Sequence, residues 1–98
     1  MGTLRWDEGK NEWLLRVRGV CFEQVAVLLE RGEVLDVVEH PNWMKHRGQK
    51  IIVVAIADYA YLVPYEHLGD DIVLKTIIPS RKATSKYLRG DHEEEANA

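Results

Sequence analysis

The run Ile51–Ala57 constrains this chain more than any other stretch. It is nearly continuous, apolar and β-branched, and far shorter than the roughly 20 residues a membrane helix needs. Such a run reads as a strand buried on both faces. Beyond it, Asp58-Tyr59 leaves room only for a tight hairpin into a strand over Ala60–Glu66, with Tyr61, Val63 and Tyr65 on one face. Pro64 removes a ladder donor, which predicts an edge position or a bulge there. Val34–Val38 predicts a preceding strand, ended by His40-Pro41-Asn42. After a turn at His67–Asp71, Ile72–Ile78 predicts the last strand, with Ile72, Leu74, Thr76 and Ile78 on one face, Lys75 on the other, and Pro79 as its stop. The middle of the chain is therefore an antiparallel sheet of about four strands.

Helices flank it. Leu4–Trp6 allows a short opening strand, and Asp7 is a good N-cap for a helix to about Arg18, with Trp13, Leu14 and Val17 as its apolar stripe and Gly19 as its left-handed stop. Phe22, Val25, Ala26 and Leu29 fall at i, i+3, i+4 and i+7, a second helix stopped by Gly32. The two helices must turn a tight corner at Gly19–Cys21. Near the other end Ser80 predicts the cap of a short helix to about Leu88. The expected fold class is α+β: two N-terminal helices, the sheet, then a short C-terminal helix. With 98 residues there is room for one domain, over 1–90, followed by an acidic mobile tail at 91–98.

Charge is unevenly distributed. Met1–Arg89 holds all 13 Lys and Arg against 12 Asp and Glu, while Asp91, Glu93, Glu94 and Glu95 crowd the end and bring the total to -3. From Ile72 to Arg89 lie five cations (Lys75, Arg81, Lys82, Lys86, Arg89) and no acid. A lone Cys21 rules out an internal disulfide and suits a reducing compartment, and no signal-like or membrane-spanning run is present, so the expected location is cytoplasmic.

Two segments carry cations in suggestive places. Arg81 and Lys82 would open the last helix, where the free N–H groups and the dipole already make the end positive. That arrangement either concentrates donors and fixed cations on an anion such as phosphate, or leaves two solvated side chains paired elsewhere. His40, Lys45, His46, Arg47 and Lys50 surround Trp43 in a loop-like stretch. Histidine exchanges protons near neutral pH, and cations stabilise a pentavalent phosphate, so this mix would suit RNA cleavage without metal. Trp43 either stacks a base or covers the sheet. Other chemistries find no support: His40 and His46 match no zinc spacing, no phosphate-loop, dinucleotide or nucleophile-elbow motif occurs, and the acids form no two-metal cluster. Cys21, at the second helix's N-cap, reads as a cap and core residue. No metal and no cofactor is expected.

Both ends of the chain resemble one family. Leu4-Arg5-Trp6-Asp7-Glu8-Gly9-Lys10, continuing to Arg18-Gly19-Val20-Cys21-Phe22-Glu23, is similar to the opening of the BrnT-type toxins, with their aromatic-Asp pair, a Lys three residues on, and a G-V-[ST]-F-E-type corner. Ile77-Ile78-Pro79-Ser80-Arg81-Lys82-Ala83-Thr84 resembles their I-S-A-R-x-A-T segment. The resemblance covers roughly Leu4 to Leu88, and implies a RelE-like fold, a metal-independent ribonuclease that inhibits translation, and a cognate ribbon-helix-helix antitoxin as partner. It further implies that Lys10 and Arg81 are site residues and that Lys50 stands where the family has Arg. Some positions depart: Val17-Arg18 replaces a Lys-His pair before the corner glycine, Leu14 an Asn, Tyr87 a Glu, and Cys21 a hydroxyl.

The expected nuclease site is thus Lys10, Lys50 and Arg81 around the scissile phosphate, with His40 or His46, or a tyrosine such as Tyr65, moving protons. Lys75, Lys82, Lys86, Arg47 and Tyr65 are the expected RNA contacts. No His–Glu pair can be placed from the sequence. Two further readings stand beside this one: a non-catalytic module binding RNA, DNA or an acidic protein through the basic helix, and an interaction protein docking a partner on the strand that Pro64 marks.

Overall fold

Asp7 begins the first helix as expected. In the computed structural model, which describes residues 2–39 and 49–90, its carboxylate accepts the Lys10 N–H at 2.7 Å and starts α1 (Glu8–Arg18). Gly19 ends α1 at φ 73°, a left-handed conformation that a side chain would strain. The buried line of α1 is Asn11 and Leu14, at i and i+3, while Val17, expected in the stripe, is 55% exposed. Arg18, itself exposed, donates to the Ile77 carbonyl at 2.6 Å. The helix α2 (Phe22–Glu30) follows, with Phe22 and Val25 buried and Gly32 in a left-handed turn behind it. Cys21 is its N-cap by position but brings no hydroxyl. Gln24 reaches back to accept the Cys21 N–H at 2.9 Å, and from α1 Asn11 accepts the Phe22 N–H at 2.7 Å while its amide donates to Glu23 at 2.8 Å. The Asn11 bond is also the first cause holding the Glu23 carboxyl below its ordinary range.

The described sheet is wider than four strands and is mixed. It comprises β1 (Leu4–Arg5), β2 (Asp36–Glu39), β3 (Gln49–Ile56), β4 (Tyr59–Leu68), β5 (Asp71–Leu74) and β6 (Ile78–Pro79), in the order β1-β5-β4-β3-β2, with β6 also on β4. The β1–β5 pairing is parallel, Leu4 opposite Ile72. It is long-range and had no signature in the spacing. Asp71 secures it, accepting from the Thr3 N–H at 3.0 Å and from Arg5 at 3.1 Å. These bonds, the Thr3 N–H first, hold the Asp71 carboxyl below its ordinary range. A depressed carboxyl pKa contributes stability above the unfolded value, lost as pH falls through the folded one. Acid titration of stability should therefore steepen below about pH 4, and Asp71→Asn should make that slope shallower. Equal slopes in the two chains would show that Asp71 plays no such part.

The single long strand expected over Ile72–Ile78 is two strands with a break between them. The break shifts the alternation by one, so Ile77, not Thr76 or Ile78, enters the core: Ile77 is fully buried and Ile78 is 38% exposed. It also explains Pro64, which lies in an interior strand rather than at an edge. Pro64 pairs with Ile51 of β3 on one side. On the other its carbonyl accepts the Lys75 N–H at 2.8 Å, opposite the gap between β5 and β6. A strand residue's N and C=O point the same way, so the missing N–H faces the interruption and no ladder bond is lost.

The β3–β4 hairpin turns on Ala57-Asp58, one residue earlier than Asp58-Tyr59, with Ile56 opposite Tyr59. Both turn residues have positive φ, 52° and 65°, the geometry of a two-residue I′ turn. Alanine is poorly suited to it. Ala57→Asn should raise stability by about 0.5–1 kcal/mol, read from denaturant midpoints, because asparagine tolerates the left-handed region; an unchanged midpoint would refute this.

The sheet separates two cores. On the first face Ile52, Val54, Val63, Tyr65 and Leu74 pack under α1 and α2 with Leu14, Val20, Phe22 and Val25. On the second, Val53 and Ala60 pack under α3 (Arg81–Tyr87) with Ala83. Ile51–Val54 are buried on both sides, as a central strand requires. No helix among the described residues is long and apolar enough to cross a membrane.

Candidate active site

Strand register collects the polar groups that sequence spacing left scattered. Glu39 lies opposite Lys50 across β2 and β3, and Lys50 lies opposite Tyr65 across β3 and β4. Directly opposed residues in a sheet point to the same face. Here it is the first face, since Lys50 alternates with Ile52 and Val54. His67, two residues on from Tyr65, shares the face, and its ring meets the Tyr65 ring edge-on at 5.8 Å. One end of the sheet thus presents a carboxylate, an ammonium, a phenol and an imidazole in a row. Glu39, Lys50 and His67 are exposed, whereas Tyr65 is 8% exposed. Strand spacing and rise put the Glu39 and His67 Cα positions about 12 Å apart, so side chains from both can reach one phosphodiester between them.

Tyr65 therefore belongs to the core rather than to an open stacking platform, and its ring backs His67. Lys10 stands on α1, the helix over this same face, with its ammonium 4.6 Å from the Trp13 ring centre. Arg18 lies over that ring too, at 5.1 Å. Arg81 is elsewhere: it opens α3, on the second face. The cations expected around one phosphate are thus divided, Lys10 and Lys50 belonging to one face and Arg81 to the helix on the other.

The N-terminus of α3 is also less open to an anion than its sequence suggests. Ser80 accepts the Ala83 N–H at 3.0 Å, so one of the free donors is already used. Thr84, buried, donates to the Ser80 carbonyl and accepts the Ala60 N–H at 2.8 Å, fastening the helix to β4. Of the other expected RNA contacts, Lys75 pairs with Glu66 at 3.4 Å on the second face, and Lys82 and Lys86 are exposed on α3. His40, His46 and Arg47 lie outside the described residues.

His67 and Glu39 were missed by spacing. The turn expected over His67–Asp71 takes in His67, whereas β4 runs on to Leu68 and alternation from Tyr65 puts His67 on Tyr65's face. Glu39 carries no local signal, because only the β2–β3 register brings it beside Lys50. Among the described residues no cluster of three metal-ligating side chains occurs. The chain was compared with protein-family models, curated proteins and solved structures, and none of them matches it.

Proposed function

We propose that this chain is an endoribonuclease toxin of the RelE-like, BrnT-type class, held in check by an antitoxin, and that it cuts RNA at the row Glu39–Lys50–Tyr65–His67. The row carries the reading: it sets a base, a cation and an acid on one exposed sheet end. Glu39 takes the proton of a ribose 2′-hydroxyl, whose oxygen attacks phosphorus. Lys50 stabilises the negative charge gathering on the pentavalent phosphate. The bond from phosphorus to the 5′-oxygen breaks, and His67 gives that oxygen its proton. The products are a 2′,3′-cyclic phosphate and a free 5′-hydroxyl, with no metal in the balance. Lys10 holds the RNA backbone from α1, as the family resemblance implies, while Arg81 lies outside this centre.

The test is cleavage of single-stranded RNA by the purified chain in the presence of chelator, with the ends of the products identified. Cyclic phosphate ends and a loss of about 10²–10³-fold in Lys50→Ala, the range for one transition-state charge contact, support the assignment. RNA bound in a salt-dependent way but never cut would make the chain the non-catalytic module instead.

A further inference from the structure

On the second face α3 and the sheet enclose a groove with no part in the row. It has a volume of about 260 Å³, a floor of Val38, Val53 and Leu62, and a wall of Lys82, Lys86 and Tyr87. The wall is fixed: the Tyr87 hydroxyl donates to Asp36 at 2.5 Å, joining α3 to β2. That bond and the Val37 N–H occupy the Asp36 carboxylate and hold its pKa down. Lys86 rests over the Tyr87 ring at 5.2 Å, and neither Lys82 nor Lys86 forms an ion pair with a described residue. α3 itself contains no acid. Two cations one helical turn apart, about 6 Å along the axis, thus border an apolar hollow.

We propose that this groove receives an acidic segment of a partner protein, an aliphatic side chain entering the hollow and flanking carboxylates meeting Lys82 and Lys86. Charge complementarity selects the occupant. RNA fits less well, because the floor is aliphatic and the Tyr87 ring in the wall is tied to Asp36 and already has Lys86 over it. The groove is on the opposite face from Lys50 and His67, so the proposal does not depend on cleavage.

The experiment is fluorescence anisotropy with a labelled twelve-residue peptide of glutamates carrying two leucines four residues apart, titrated with the whole chain. The parent should bind it. The doubly reversed chain K82E/K86E, altered only at exposed positions and checked for folding by circular dichroism, should bind at least about tenfold more weakly. A peptide with both leucines changed to serine should lose a comparable factor. Equal binding by the reversed chain would overturn the proposal. So would equal binding of the serine peptide, or its displacement by single-stranded RNA as readily as the leucine peptide, since either outcome would mark a site for any polyanion.

Discussion

If the row Glu39–Lys50–His67 cleaves RNA as proposed, His67→Ala should cut it about 10²–10⁴-fold more slowly than the parent chain, the usual worth of one positioned acid or base. The imidazole is exposed and outside both cores, so removing it leaves the packing that supports the site in place. What disappears is the proton for the departing 5′-oxygen. The readout that separates this from a positional effect is the leaving group, since only a departing oxygen that needs a proton depends on the imidazole. A substrate whose 5′ leaving group needs no proton, such as a nitrophenyl ester, should be cut nearly as fast by the variant as by the parent. A parent-like rate on RNA would remove His67 from the mechanism, whatever Lys50→Ala did.

Phe22→Ala should destabilise the domain by about 3–5 kcal/mol, the range for emptying a buried aromatic site. Phe22 is fully buried, and it stacks on Trp6 with ring centres 5.5 Å apart and planes 22° from parallel. One side chain thus links the exit of β1, the corner between the helices and the first core. The loss would be a large share of the roughly 5–15 kcal/mol by which such domains are stable. Denaturant unfolding should show a lower midpoint at unchanged slope. A loss below about 1 kcal/mol would mean that the corner closes over the vacancy, and that Trp6 and Asn11 hold it without the ring.

Features governed by near neighbours were legible. Asp7, Gly19 and Ser80 act where their caps and turns were expected, because a cap depends on donors two or three residues away. Ile51–Val54 is buried on both sides, and Tyr61, Val63 and Tyr65 share a face, because alternation is a property of one strand. The break after Leu74 was not legible. Nothing in Lys75-Thr76-Ile77 forbids a strand, and only the packing of Ile77 against the first core shows that the chain steps by one residue there.

Pro64 and the candidate site show the same division more sharply. The residue types were visible from the start: a proline that withholds a donor, a lysine at the head of the central strand, and histidines with no partner. Whether Pro64 is costly, and whether Lys50 has a carboxylate on one side and a phenol on the other, depends on the register between strands, which no single strand's alternation contains. Lys50 finds Glu39 11 residues back and Tyr65 15 residues on. From sequence alone came the helices, their caps, the two-sided burial of the central strand and the basic character of α3. Tertiary structure decided which face each cation occupies, because a one-residue change of pairing would carry every side chain of a strand to the other side.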